Sequence, residues 1–188
     1  MIEIRWHGRG GQGAKTASLL LANVVFEKGK YVQGFPEYGP ERTGAPLTAY
    51  NRIADERILI HSNVYNPNYV VVVDESLMGC IPVEDGLKEE GAIVINTTKS
   101  VDKIKEKLIN KDLKVYTVAA DDIALKNIGR AIPNTVMLAA VVKIAGLIEK
   151  EEFFEIMETS MEKQFANKRE VIAGNMEAIK EAWESVGE

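Results

Sequence analysis

The chain has 188 residues and a formal net charge of −5, so it offers no basic face for non-specific nucleic-acid binding. No apolar run reaches the roughly 20 residues of a membrane-spanning helix. Hydrophobic residues make up 46% of the chain and charged residues 27%, a composition expected of one globular domain over residues 1–188.

The start of the chain carries no basic segment followed by an apolar one, so no signal peptide is expected and a cytoplasmic location follows as the default. Ile2, Ile4 and Trp6 alternate with Glu3, Arg5 and His7, the period of a strand. A glycine-rich turn follows, Gly8-Arg9-Gly10-Gly11-Gln12-Gly13. Beyond it Ala17, Leu20, Leu21, Val24 and Val25 recur at helical spacing over residues 14–28, and Gly29 supplies a stop. Residues 31–34 read as a second strand. The stretch 35–46 contains Pro36, Gly39, Pro40, Gly44 and Pro46. It is a loop of restricted shape, and long ordered loops tend to carry function.

Residues 47–53 and 57–62 read as two strands around Ala54-Asp55-Glu56, a hairpin that adds antiparallel character. Residues 69–74, Tyr-Val-Val-Val-Val-Asp, form a continuous apolar run suited to a central strand buried on both faces. Cys80 is the sole cysteine. With no base nearby it reads as a semi-buried small hydrophobe, not a nucleophile. One thiol makes no intrachain disulfide, and an iron–sulfur cluster held by thiolates usually takes four. His7 and His61, the only histidines, do not make a zinc ligand set.

Further on, a short helix over 83–90 is stopped by Gly91, a buried strand covers 92–96, and a charged helix covers 101–110. The last strand spans 113–118 and a helix spans 120–128. Pro133 opens a helix running to residue 148. That helix is apolar nearly all round, which places it deep in the fold or against a partner. Two polar helices over 150–164 and 168–185 finish the chain. The fold expected is α/β: an open, mostly parallel Rossmann-like sheet with an antiparallel hairpin addition and C-terminal helices. Ligands in such folds bind at the carboxyl ends of strands.

The glycine turn stands at that end, between a strand and a helix. Its backbone N–H groups favour an anion. Gly8, Gly10 and Gly13 match the dinucleotide spacing G-x-G-x-x-G. The second strand, however, ends Val32-Gln33-Gly34-Phe35 and lacks the acidic residue that holds a ribose. A phosphate-binding P-loop needs Lys directly after its last glycine, whereas Ala14 intervenes before Lys15. That shift rotates the Lys by about 100° around the helix. The alternative is that the glycines only let helix and sheet pack closely. Four glycines in six residues, with Arg9 and Gln12 as donors, exceed what packing needs. In the second loop Arg42 is suited to a phosphate in bidentate fashion. Glu37 and Glu41 read equally as a solvated pair, His7 as a ligand contact or a satisfied core histidine, Asn134 as a helix-start residue, and residues 61–67 as a weak addition to the cleft.

Residues 4–14 (Ile-Arg-Trp-His-Gly-Arg-Gly-Gly-Gln-Gly-Ala), 35–46 (Phe-Pro-Glu-Tyr-Gly-Pro-Glu-Arg-Thr-Gly-Ala-Pro), Asn66-Pro67, Val70 to Asp74 and 132–138 together resemble the gamma subunit of the 2-oxoacid:ferredoxin oxidoreductases, the pyruvate (pyruvate synthase) type above all. The resemblance covers nearly the whole chain. It implies a subunit, inactive alone, of an enzyme that converts a 2-oxoacid, CoA and oxidised ferredoxin to acyl-CoA, carbon dioxide and reduced ferredoxin. It implies alpha, beta and delta partner chains holding thiamine diphosphate, Mg2+ and [4Fe-4S] clusters. It also implies that this chain helps to bind CoA and cover the active site. The cofactor-binding residues expected on that basis are Gly8, Arg9, Gly10, Gly11, Gln12 and Gly13, with Arg42, Thr43 and Gly44 as the opposite wall. The competing readings are a purely structural scaffold subunit of the same complex and an independent nucleotide-binding Rossmann-like protein.

Overall fold

The computed structural model describes residues 1–37, 44–166 and 168–187. Six strands form one sheet: β1 (Ile2–Arg9), β2 (Tyr31–Pro36), β3 (Pro46–Ala54), β4 (Tyr69–Val72), β5 (Ala92–Asn96) and β6 (Lys114–Val118). The order across it is β2-β3-β1-β4-β5-β6. The pairs β1–β4, β4–β5 and β5–β6 are parallel, and β3 runs antiparallel to both β2 and β1. The helices are α1 (Ala14–Glu27), α2 (Val101–Lys105), α3 (Ala120–Ile128), α4 (Asn134–Ile144), α5 (Lys150–Phe165) and α6 (Arg169–Ser185).

The sheet separates two apolar layers. Ile4, Trp6, Val71, Val94 and Val118 face α1 and the C-terminal helices. Val70, Val72, Ile93, Ile95 and Val115 face Ile104 and Leu108 together with Leu77 and Val83 of the β4–β5 connection. The valine run of β4 is buried on both sides because it lies between β1 and β5 with a layer on each face. The apolar α4 lies deep in the first layer, with residues 135–142 all buried. Of the two settings its composition allowed, burial within the fold is the one observed.

Three local expectations fail, and the charged helix expected over 101–110 is helical only over Val101–Lys105. The antiparallel hairpin exists, but its arms are β2 and β3, and residues 57–62 form no strand. β3 is hydrogen-bonded along both edges, so no edge is left for that segment, and Leu59 stands 71% exposed. Residues 83–90 form turns, not a helix. Gly86 takes φ 68°, and a Cβ there would lie 2.1 Å from the Tyr65 carbonyl oxygen, so the chain bends where a helix would have continued. Cys80 is exposed, not semi-buried, with its thiol 3.4 Å from the Ser76 carbonyl.

A buried polar relay fixes α1 on the sheet. The Trp6 indole N–H donates to Asn51 Oδ1 at 2.8 Å, and Asn51 Nδ2 donates to the Ser18 carbonyl of α1 at 2.9 Å. Both Trp6 and Asn51 are fully buried. An Asn51→Leu substitution leaves the indole donor unpaired, so it is expected to lower unfolding stability by about 2–3 kcal/mol in urea denaturation.

Candidate functional site

The sheet changes its wrapping between β1 and β4. β1 runs into α1 on one face, whereas β4 runs into a 3₁₀ turn (Glu75–Gly79) whose Leu77 and Met78 join the layer on the other. A crevice opens at such a switch, at the carboxyl ends of the strands. The glycine turn stands there.

Each glycine of the turn does something different. A Cβ on Gly8 would lie 2.8 Å from the Ala14 Cβ, so Gly8 serves close packing of strand end on helix start. Gly13 is the residue before α1, at φ 87°, and a Cβ on it would reach 3.0 Å from the Asn134 Cβ at the head of α4. Gly10 reaches across to the second loop: its N–H donates to the Ala45 carbonyl at 2.9 Å, and its carbonyl accepts from the Gly44 N–H at 3.1 Å. Gly11, at φ 98°, faces open space. No side chain caps the start of α1, and its first turn carries no acidic residue. The first N–H groups of a helix have no carbonyl of the helix to bond, and they carry its positive end.

The polar side chains of the turn are bound within the fold. Arg9 Nε lies 3.1 Å from Asp74 Oδ2, and its Nη atoms donate to Ser76 Oγ at 2.9 Å and the Gly44 carbonyl at 3.0 Å. Gln12 Nε2 donates to Asp74 Oδ2 at 2.6 Å, and Gln12 Oε1 accepts from the Arg9 N–H at 2.8 Å. Asp74 thus gathers the end of β1, the entry to α1 and the exit from β4. Sequence reasoning did not pair Asp74 and Ser76 with the glycine turn. The available signal was an acidic residue at the carboxyl end of a doubly buried strand. Partial burial raises the Asp74 pKa, but hydrogen bonds from Ser76 and Gln12 and the Arg9 charge outweigh it, so the net shift is downward.

Arg42 and Thr43 lie outside the described residues, as does Glu41. Gly44, at φ 85°, is hydrogen-bonded to the glycine turn through its N–H and the Gly10 carbonyl. Glu37 is exposed and accepts from the Tyr50 hydroxyl at 2.6 Å, and its expected pairing with Glu41 lies outside the described residues. Asn134 is the first residue of α4, as a helix-start residue should be, and its Oδ1 accepts from the Thr135 N–H at 2.8 Å. His61 is exposed, and the adjoining Ser62 and Asn63 carbonyls bind Arg52. Arg52 pairs with Glu3 near the start of β1, so this segment lies at the far end from the glycine turn. Beside Gln12 a cleft of about 350 Å³ is lined by Asp74, Glu75, Asn96, Asp121 and Asp122. It is acidic and suits an anion poorly. Among the described residues, no group of three or more His, Cys, Asp or Glu side chains is placed to hold a metal ion.

Sequence comparison decides what this frame belongs to. The family model for pyruvate ferredoxin/flavodoxin oxidoreductase matches residues 3–185. The chain belongs to that family. Pyruvate synthase subunit PorC of Thermotoga maritima is 49% identical over 187 residues, covering 98% of this chain and 94% of its own. The pyruvate/ketoisovalerate oxidoreductases common subunit gamma of Pyrococcus abyssi is 46% identical over 184 residues, covering 98% and 96%. The crystal structure of pyruvate oxidoreductase subunit PORC from Thermotoga maritima has a TM-score of 0.87 at 46% identity, covering 99% of this chain and 97% of that one. The family resemblance and the α/β fold with its antiparallel addition are both borne out. No helix among the described residues is long and apolar enough to cross a membrane.

Two measurements test the site. Asp74→Asn removes the charge that holds Arg9, and should lower stability by about 1–3 kcal/mol at pH 7 in urea denaturation. The folded Asp74 titrates below its ordinary value of 3.8. Its contribution is therefore complete above that value and lost as pH falls through the lower folded one, where wild type and variant converge. His7 behaves in the same sense at higher pH. Burial, with the Arg5 charge adding to it, pushes its pKa from 6.5 down to about 3. The unfolded chain binds the extra proton between those values, so stability drops as pH falls below 6.5. Urea midpoints measured from pH 7 to 4.5 should fall more steeply for wild type than for His7→Gln.

Proposed function

We propose that this chain is the gamma subunit of a pyruvate:ferredoxin oxidoreductase (pyruvate synthase) and acts in it as one unit over residues 1–188. The complex reaction joins pyruvate, CoA and oxidised ferredoxin to give acetyl-CoA, carbon dioxide and reduced ferredoxin. The role of this chain is to help bind CoA and to close the active site, in a cytoplasmic assembly with alpha, beta and delta chains. The supporting observation is the reciprocal backbone pair between Gly10 and Gly44-Ala45, which joins the two loops that carry the family resemblance into one rim.

CoA is a polyanion at its nucleotide end. The face that suits it is the start of α1 at Gly11, where main-chain donors are uncrowded and no acidic residue intrudes. The acidic cleft beside Gln12 steers phosphate away from the β4–β6 side. Arg9 and Gln12 contribute by holding the turn in shape, since their side chains are bound to Asp74. Thiamine diphosphate with Mg2+, and [4Fe-4S] clusters, belong to the partner chains. One exposed cysteine cannot furnish a cluster's thiolates, and among the described residues no three or more His, Cys, Asp or Glu side chains come together to hold a metal ion. The protein's task here is orientation and exclusion of water, while the cofactor does the bond breaking. The name of the Pyrococcus relative, common to pyruvate and ketoisovalerate enzymes, supports a chain that does not itself select the oxoacid.

A scaffold-only role has one observation in its favour, the internal commitment of Arg9 and Gln12. Gly11 separates the two readings. Gly11→Asp and Gly11→Asn share the same size and the same backbone strain at φ 98°, and differ by one charge. In the assembled oxidoreductase, calorimetry should show CoA bound about tenfold more weakly by the Asp variant than by the Asn variant. Equal affinities in both variants and in wild type would favour the scaffold.

A further inference from the structure

The sheet ends on β2 at one side and on β6 at the other. The β6 edge is met by the end of the chain, where the Thr117 N–H donates to the Gly187 carbonyl at 3.0 Å. The β2 edge is met by no strand among the described residues. The Glu37 N–H donates to the Thr48 carbonyl, the residue opposite it in the antiparallel register. Hydrogen-bonded positions alternate along such a pair, so Tyr31, Gln33 and Phe35 turn their main chain toward β3. Val32 and Gly34 turn theirs outward, and among the described residues neither has a hydrogen-bond partner there.

An open edge is a template for another strand, and proteins usually blunt it with a charge, a bulge or a proline. Here the register with β3 runs unbroken from Tyr31 to Pro36. Pro36 closes only the last position, and no charged side chain stands between it and Lys30. The helix above the edge carries an exposed apolar stripe. α1 packs over β2 and β3, and a Cβ on Gly34 would lie 2.9 Å from the Ala22 Cβ. One turn to either side of Ala22, on the same stripe of the helix, stand Leu19 and Phe26, 40% and 68% exposed.

We propose that β2 is an interface between two copies of this chain, which pair antiparallel, edge to edge, about a two-fold axis at Gln33. This register uses the outward groups of both copies: Val32 of each faces Gly34 of the other, and each pair exchanges N–H···O=C bonds. The edge is complementary to itself on both faces. Tyr31, 51% exposed, comes opposite Phe35 of the second copy, an aromatic cross-strand pair on the face away from α1. On the other face the same axis brings the two copies of α1 together antiparallel, with Leu19 of each beside Phe26 of the other. Neighbouring strands lie about 4.8 Å apart. Two helices, each seated over its own β2 and β3, then stand about 10 Å apart, the distance at which helices pack. An isologous contact of this kind closes as a dimer and leaves neither β2 edge open.

Light scattering on the full chain and on the assembled oxidoreductase reads the number of copies. The chain is expected to be dimeric at micromolar concentration, and the oxidoreductase to carry two copies of it per particle. Val32→Pro removes an outward N–H and no bond to β3, the setting in which an edge strand tolerates proline. Phe26→Lys places a charge in the α1 contact at a position exposed in the single chain. Each should weaken self-association about tenfold, with the circular dichroism of wild type. In an equal mixture of Leu19→Cys and Phe26→Cys chains, both also carrying Cys80→Ser, oxidation should link one chain of each kind in preference to two of the same. A dimer that Val32→Pro and Phe26→Lys both leave intact overturns the proposal. So does a chain that is monomeric by itself and present once in the oxidoreductase; slow hydrogen exchange of the Val32 and Gly34 amides in that complex would then assign the edge to a strand of a partner subunit.

Discussion

One carboxylate organises the end of the sheet at which β1 and β4 finish. Asp74 Oδ2 receives Arg9 and Gln12, and Oδ1 accepts from the Ser76 N–H at the start of the 3₁₀ turn. Through these bonds the end of β1, the glycine turn, the entry to α1 and the exit from β4 are held as one piece. Arg9 passes the constraint on to the second loop through the Gly44 carbonyl. Because the charges are paired and partly shielded from solvent, the clamp resists screening better than a surface pair would. The turn's main-chain donors therefore point in a fixed direction without help from a ligand, which is the arrangement that favours tight orientation of a bound group.

The sheet is chemically two-sided along β1, and this sets the division of labour. Its α1 face, with Ile4 and Trp6, is apolar and carries the packing of the helices. Its opposite face is polar and is covered by the connections after β3 and β4, not by a long helix. Buried guanidinium groups at Arg5 and Arg52 are supplied there with carbonyl oxygens from those connections. The irregular segments thus have a structural duty: their carbonyls satisfy charges that an apolar layer would strand. This also explains why residues 57–62 run as an exposed strap, even though their own residues suit a strand.

Period and composition located β1, α1, β4, β5 and β6 and the three C-terminal helices closely, because in these segments local preference and tertiary role agree. The Val70–Val73 run needs burial on both faces and receives it. Gly29 and Gly129 sit just past helix ends at positive φ, as helix-stopping glycines do. The misses lie where a distant partner decides. The strand-like residues 57–62 lost their edge to β1, and the 83–90 helix was bent at Gly86 by the nearby Tyr65 carbonyl. At the site the glycine turn was legible as a backbone feature. The fate of Arg9 and Gln12 was not, since their partner Asp74 lies more than sixty residues away in the chain.

By itself, then, the sequence determined the α/β alternation, the glycine turn at a strand–helix junction and, through two specific loops, the family. These depend on local backbone preference and on short runs of residue type. Only the tertiary structure decided that β1 is flanked by one antiparallel and one parallel neighbour, that the two glycine-bearing loops meet at Gly10, and that His7 Nδ1 is buried without a hydrogen-bond partner among the described residues. Hydrogen bonds and burial between residues far apart in the chain depend on which surfaces the sheet order brings together, and no local pattern encodes that.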